Sequence, residues 1–255
     1  MTRELGRTVP RSAVSHDPLE HDHSPDAIRD RLTGQAPPNY LRDWVYGGID
    51  GAITTFAVVA GVAGASLSPR IVIILGVANL LADGLSMAAS NYSGTKTEVD
   101  EIARLTEVER RHIRLARDGE IEEVRQILRL KGLEGDVLEG AVTAITSDED
   151  TWVRLMLTEE YGVSTAQRQP LLSGASTFGA FLLAGSVPLA PYILGADVAL
   201  SWAAIMVALV FFAIGSLKSL WSLQSWWRSG LETLTIGLAA ASVAYAVGYL
   251  LKGLA

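Results

Sequence analysis

Three pairs of side chains able to bind metal or carry protons recur along one stretch of this 255-residue chain. They are Glu98 with Glu101, Glu109 with His112, and Glu120 with Glu123, each pair displaced by eleven residues from the last. On a helix, a spacing of three puts both members on one face, and eleven residues is close to three full turns. Two such pairs on neighbouring helices can surround a divalent cation with carboxylate oxygens and one imidazole. That ligand set suits Mn²⁺, Fe²⁺ or Zn²⁺, and without His112 would lean toward Mg²⁺ or Ca²⁺. The competing reading is a solvated charged face, with Arg104, Arg110, Arg111, Arg114 and Arg125 pairing the carboxylates.

A second set of carboxylates stands in apolar sequence. Asp50 lies in WVYGGIDGAITTFAVVAGVAGASL and Asp83 in IVIILGVANLLADGLSMAASNY. A charge at bilayer depth costs roughly 2.5–3.5 kcal/mol on insertion scales, so an ionisable residue there is expected to meet a cation, a proton or an opposite charge. Asp43, Gly47, Asp50 and Thr54 share one helical face, and Asn79, Asp83, Met87 and Ser90 share another. If the two stripes face each other they form a polar track with the Met87 thioether beside it. The alternative is that both aspartates are buried structural hydrogen-bonders and Met87 is packing.

The elements that must position these groups follow from how charge is distributed. Hydrophobic residues make up 49% of the chain and charged residues 19%, with a mean hydropathy of +0.27. Residues 171–196 and 198–217 carry no charge, and 231–251 carry only Glu232. Together with 44–67 and 71–92 these are five stretches near the ~20 residues needed to cross a bilayer. A soluble protein would scatter its charges through amphipathic helices instead. The expected fold is an all-α polytopic membrane protein with five transmembrane helices and the termini on opposite faces.

Basic residues set the orientation. Arg29, Arg31 and Arg42 precede the first span, many Lys and Arg lie between the second and third, and Lys218 and Arg228 flank the last turn. The other face has Arg70 in a short turn and Asp197. The N-terminus and residues 93–167 are therefore expected in the cytoplasm, and the C-terminus opposite. Lys218 and Glu232 can pair near that boundary, or Lys218 can snorkel.

Residues 93–167 are too long for a bare connector. Helical periodicity runs through VDEIARLTEVERRHIRLARD, EIEEVRQILRLKG, DVLEGAVTAIT and SDEDTWVRLMLTEEYG, with Gly119, Gly132 and Gly162 at expected helix ends and Ser147 or Asp148 as N-caps. The reading is a cytoplasmic helical metal-binding domain inserted between the second and third spans, its first helix continuous with the second span. Residues 1–38 form a polar, proline-bearing tail without an apolar signal-like core. Ser24-Pro25-Asp26 can start a short helix through Leu32, and the remainder is expected to be mobile. His16, His21 and His23 of HDPLEHDH offer weak metal binding at most. With no cysteine there is neither a disulfide framework nor a thiolate metal site. Gly47, Gly48, Gly51, Gly61 and Gly64 on the first span allow close helix packing, within one protomer or between two.

DWVYGGIDGAITTFAVVAGVAGA, ADGLSMAASNYSGTKTE, the acidic helical insert and GSLKSLWSLQSWWRSGLETLTIG resemble the vacuolar iron transporter family, in order and spacing, over roughly residues 40–252. The resemblance implies five transmembrane helices, a homodimer, and a cytoplasmic metal-binding domain. It further implies export of Fe²⁺, often with Mn²⁺, from the cytosol in exchange for protons, with Zn²⁺ or Co²⁺ as further bound ions. The metal is cargo, and no prosthetic group or nucleic acid is implied. The family's pathway residues fall on Asp43, Asp50 and Met87. Its cytoplasmic glutamate cluster falls on Glu109, Glu120, Glu123 and Glu160, beside Met156. This chain departs from the plant-type pattern at Asn79, with Asp83 four residues on, at Ser90-Asn91, at His112, and at Leu157, near which Glu159 stands. That marks a divergent, bacterial-type branch, for which a bacterial cell membrane is the expected location.

The mechanism expected from these residues has the cytoplasmic carboxylates and His112 collecting the ion and passing it to a mouth near Asp43. Asp50, Asp83 and Met87 would then hold it at depth until protons from the far side displace it. The domain could instead gate the pore. Two other classes remain open: a membrane-anchored metal sensor or buffer without transport, and a di-metal membrane enzyme. The enzyme would want two Glu-x-x-His pairs, and only Glu109-x-x-His112 is present.

Overall fold

The computed structural model describes residues 22–33, 39–164 and 168–252. The chain divides into two units, Met1–Pro37 and Pro38–Ala255. In the first, α1 (Pro25–Thr33) starts with proline in its first turn, and Ser24 Oγ accepts a hydrogen bond from the Ala27 amide at 3.4 Å. The expectation of a mobile, histidine-bearing tail falls, for His16 and His21, outside the described residues.

The second unit contains α2 (Leu41–Gly64), α3 (Pro69–Leu115), α4 (Arg117–Leu130), α5 (Gly135–Thr146), α6 (Glu149–Glu159) and α7 (Pro170–Ser186). A 3₁₀ turn leads into α8 (Ala190–Ile193), followed by α9 (Ala199–Lys218) and α10 (Trp226–Leu251). No strand occurs among the described residues. Five helical segments are long and apolar enough to cross a membrane: Leu41–Gly64, Pro69–Leu115, Pro170–Ile193, Ala199–Trp221 and Trp226–Leu251. The protein is an all-α, multi-pass integral membrane protein.

Two apolar cores form. Within the spans, Phe56, Val59, Val72, Phe181, Leu189, Val207 and Phe211 pack together, each at most 5% exposed. Helix α2 is the centre of this bundle, packing on α3, α7, α9 and α10, and α7 packs against both α2 and α3 more extensively than those two pack on each other. Close approach is made possible by glycine. A Cβ on Gly47 would sit 2.3 Å from the Thr177 carbonyl oxygen, and one on Gly51 would sit 2.4 Å from that of Phe181. These two glycines therefore serve packing inside the protomer. The face bearing Asp43 and Gly47 meets α7, and α3 meets α7 through Gly84, while Asp83 stays exposed.

Helix α3 runs without interruption for 47 residues, from the second span into the helical insert. It stops at Ala116 (φ −134°, ψ 39°), which also begins α4. Gly119 is not the stop that its residue type suggested, and lies in the first turn of α4. Gly132 and Gly162, with φ of +91° and +66°, do follow helices α4 and α6. Such φ values cost an L-residue energy and glycine little. Asp148 caps α6, its carboxylate accepting from the Thr151 amide at 2.9 Å. Leu105, Ile113, Val124, Leu128, Leu138, Val142, Trp152, Val153, Met156 and Leu157 form the second core, which holds α4, α5 and α6 against the far end of α3.

Candidate metal site and membrane pathway

Near its end, α3 passes the start of α4, which brings Glu109 and His112 beside Glu120. One ligand atom from each of the three lies within 4.8 Å of the others. His112 Nδ1 is 3.7 Å from Glu109 Oε1 and 3.5 Å from Glu120 Oε1. Glu109 is fully buried and Glu120 is 5% exposed. Each has a second oxygen, Oε2, that is buried without a hydrogen-bond partner. Buried carboxylate oxygens are ordinarily satisfied, so two carboxylates that each keep an unpartnered oxygen, gathered at one imidazole, form a donor set fit for a divalent cation.

Electrostatics of this cluster are dominated by like charge in a partly dry setting. Burial, then the negative charges of Glu123 and Glu109, push the Glu120 carboxyl up to about 7, against the opposing effect of His112. Burial and the same kind of repulsion, from Glu109 and Glu123, raise Glu160 as well. Glu123 and Glu160 therefore lie within electrostatic reach of the cluster. The arginines that might have neutralised it are partly engaged elsewhere. Arg110 reaches Asp150 at 3.2 Å and Arg125 reaches Glu139 at 2.8 Å.

Other sequence-proposed ligands are placed differently. Glu159 forms a 2.7 Å ion pair with Lys131. Met156 is wholly buried in the apolar core of the insert. Glu101 is exposed on α3, and Glu98, three turns before Glu109, lines a cleft at the end of the membrane bundle instead. Sequence spacing gave no hint of Tyr161, whose hydroxyl donates to Glu109 Oε1 at 2.8 Å across 52 residues. Burial and this bond push the phenol well above its ordinary value.

The cleft holding Glu98 measures about 300 Å³ and is lined also by Arg42, Asp43, Met87, Asn91 and Arg168. Asp43 is 3% exposed. The Asn91 amide donates to Asp43 Oδ1 at 2.9 Å, to the Ser173 carbonyl at 3.1 Å and to Thr177 Oγ1 at 2.7 Å. The Arg168 guanidinium donates to Asp43 Oδ2. Neither Asn91 nor Arg168 was singled out as a pathway residue from sequence. The only sequence signal for Arg168 is a basic side chain just before an apolar span.

Deeper in the bundle, Asp50 is half-buried and Asn79 is similar, with its Nδ2 buried and without a partner. Thr54 donates to the Asp50 backbone carbonyl at 2.9 Å, which leaves the Asp50 carboxylate uninvolved in that bond. Asp83 lies within electrostatic range of Asp50, yet is exposed on α3. Asp50 and Asp83 are thus neighbours, while Met87 sits lower, at the cleft with Asp43.

The sequence profile of the VIT family matches residues 41–249, a range that takes in the cleft, the intramembrane aspartates and the whole acidic insert. The chain belongs to the VIT family. Vacuolar iron transporter 1 of Eucalyptus grandis is 31% identical over 208 residues, covering 80% of this chain and 84% of the relative. Vacuolar iron transporter 1 of Arabidopsis thaliana shows the same identity over 208 residues, with 80% and 83% covered. The vacuolar iron transporter of Toxoplasma gondii is 31% identical over 249 residues, 90% of this chain and 82% of its own. Against this VIT-family background, the Glu109–His112–Glu120 grouping lies outside the membrane bundle, and Asp50, with Asp83 in electrostatic range, lies on the spans.

Proposed function

We propose that this protein transports divalent iron, and Mn²⁺ with it, out of the cytosol across the membrane that holds it. The observation that carries the reading is the pair of neighbouring intramembrane carboxylates, Asp50 and Asp83, in a VIT-family bundle. Two carboxylates can neutralise a divalent ion where a single one would leave net charge in a medium of low dielectric. As a member of a transporter family, the protein is not an enzyme.

The cytoplasmic cluster of Glu109, His112 and Glu120, with Glu123 and Glu160 beside it, collects the ion. Mixed carboxylate and imidazole ligation favours Fe²⁺ or Mn²⁺ over Mg²⁺ and Ca²⁺, and accommodates Zn²⁺ or Co²⁺. The ion then enters at the Asp43 cleft, passes the Met87 thioether, and rests between Asp50 and Asp83. Protons from the opposite face neutralise the two aspartates and release it, so the exchange is antiport. The basic residues flanking the spans support a cytoplasmic N-terminus and insert, with the C-terminus opposite, in a bacterial cell membrane.

A homodimer completes the pathway in this reading. Asp83 is exposed on α3, on the helix face that also carries Asn79 and Met87. A carboxylate facing acyl chains is costly, and a second copy of α3 across that face would remove it from lipid.

Reconstitution into liposomes with Fe²⁺, Mn²⁺, Co²⁺ or Zn²⁺ under an imposed pH gradient tests this. The expected result is uptake driven by the gradient and lost in Asp50→Ala. Absence of flux for every ion, or flux indifferent to Asp50→Ala, would return the protein to the sensor or buffer class.

A further inference from the structure

The cleft at Asp43 contains a cation of the protein's own. Asp43 is 3% exposed, and its Oδ2 is taken by the Arg168 guanidinium while Oδ1 is taken by Asn91. Arg168 is itself mostly covered, with 23% of its side chain exposed. Its other contacts hold it there: it lies over the Tyr40 ring at 5.8 Å, and the next residue, Gln169, donates its amide to the Tyr40 hydroxyl at 3.1 Å. Tyr40 directly precedes α2, and Arg168 precedes α7, so the guanidinium ties together the starts of two spans.

Charge in the cleft is balanced as a result. Asp43 and Glu98 bring two negative charges, and Arg42 and Arg168 bring two positive ones. A divalent ion arriving at this neutral cleft gains little by Coulomb attraction, and at Asp43 it must compete with a guanidinium already bonded to Oδ2. With the guanidinium withdrawn, the cleft carries a net negative charge and Asp43 offers a free oxygen beside the Met87 thioether and the Thr177 hydroxyl.

We propose that Arg168 is a tethered competitor cation, a latch on the cytosolic entrance that a divalent ion must displace from Asp43 before it can enter the bundle. The proposal rests on the transport reading above, but the latch itself can be followed without transport. Thr177 lines the same cleft as Arg168 and is 1% exposed with the latch in place, so its exposure is the expected sign of an opened cleft. The chain contains no cysteine, so Thr177→Cys provides a single thiol whose reaction with a maleimide reports the opening.

Thiol labelling of the full-length protein in detergent is expected to be slow in Thr177→Cys. It should accelerate roughly tenfold in Thr177→Cys/Arg168→Gln, the factor for a latch open about a tenth of the time. Mn²⁺ should accelerate labelling of Thr177→Cys and have little effect once Arg168 is gone. Should Arg168→Gln misfold, Asp43→Asn in the same background removes the other partner and is expected to open the cleft equally. In liposomes, Arg168→Gln should lower the half-saturating Mn²⁺ concentration by a similar factor, and Arg168→Lys should stay near wild type. Labelling that ignores both partner substitutions and Mn²⁺, or a half-saturation unchanged in Arg168→Gln while wild-type flux is intact, overturns the latch. A wild-type protein that labels as described but moves no ion overturns the transport reading instead.

Discussion

The Tyr161 hydroxyl donates a 2.8 Å hydrogen bond to Oε1 of Glu109, a carboxylate with no exposed surface. One oxygen of Glu109 is thereby fixed and the other, Oε2, is left without a partner inside the protein. A group that orients a ligand from behind is commonly worth a ten- to hundredfold change in metal affinity. Tyr161→Phe is therefore expected to weaken Mn²⁺ binding to the full-length protein by roughly tenfold. It should also lower metal-free stability by about 1–2 kcal/mol, because a buried acceptor loses its bond. Titration calorimetry and thermal melts with and without Mn²⁺ check both parts.

The acid–base behaviour of Glu120 gives a second prediction. Its carboxyl is raised to about 7, from an ordinary value of 4.5, first by burial and then by Glu123 and Glu109. The folded state thus holds this proton more tightly than the unfolded one. Its contribution to metal-free stability is fully present below pH 4.5 and is lost as pH rises through about 7. Metal binding runs the other way, since the ion needs the carboxylate. Melts at a series of pH values should show metal-free stability falling between these limits and Mn²⁺ stabilisation growing. In Glu120→Gln the pH dependence in this window should be reduced. A stabilisation by Mn²⁺ as large at pH 5 as at pH 7.5 would contradict the assignment.

Neighbouring glutamates should differ sharply. Glu159 is committed to Lys131 at 2.7 Å, whereas Glu160 lies within electrostatic reach of Glu109 and Glu123 and has its carboxyl raised by burial and by them. Glu159→Gln is expected to leave Mn²⁺ affinity within about twofold, as for loss of a surface ion pair. Glu160→Gln is expected to lower it several-fold or more. Equal losses at the two positions would show that the ion pair with Lys131 does not survive in solution.

On the proposed pathway, removing either Asp50 or Asp83 would leave a divalent ion under-neutralised in a setting where uncompensated charge costs roughly 3–5 kcal/mol. Asp50→Asn should accordingly reduce ion flux in liposomes by about a hundredfold or more, with Asp83→Asn acting in the same direction. Preserved folding, judged by an unchanged melting temperature in detergent, separates this loss from simple damage.

Gly47 offers a packing test that is independent of metal. Its missing side chain admits the Thr177 backbone, and a Cβ there would lie 2.3 Å from the carbonyl oxygen. Gly47→Ala must push α7 away from α2, at a cost of roughly 1–3 kcal/mol for an overpacked contact. Glycine at 179, which meets nothing within 4 Å, should accept alanine without loss. Comparison of the two melts isolates steric contact from helix propensity.

Much of this architecture is written in local signals. The five spans follow from charge-free length, and the insert helices from periodicity broken at Gly132 and Gly162. The pairing of Glu109 with His112 is visible because three residues on a helix fix a face whatever else happens. What joins Glu109 to Glu120 is a sharp reversal at Ala116, and alanine carries no turn signal; Gly119 looked like the better stop. The partners of Asp43 were hidden for a different reason. Asn91 and Arg168 lie 48 and 125 residues away along the chain, brought in by packing of α3 and α7, and no spacing rule connects residues on separate helices. Burial, likewise, is a tertiary property: Glu98 and Glu109 look alike in sequence, and one is exposed while the other is sealed.

The unbroken α3 helix sets a length scale for delivery. Met87, at the cleft, and Glu109, in the cluster, lie on the same rod 22 residues apart, roughly 33 Å at 1.5 Å per residue. That is too far for one ligand to hand an ion to the next, and a straight helix cannot fold the two together. On the proposed reading, an ion leaving the cluster must therefore cross open solvent before it meets Asp43, so the two sites communicate through bulk solution and not through a relay of ligands.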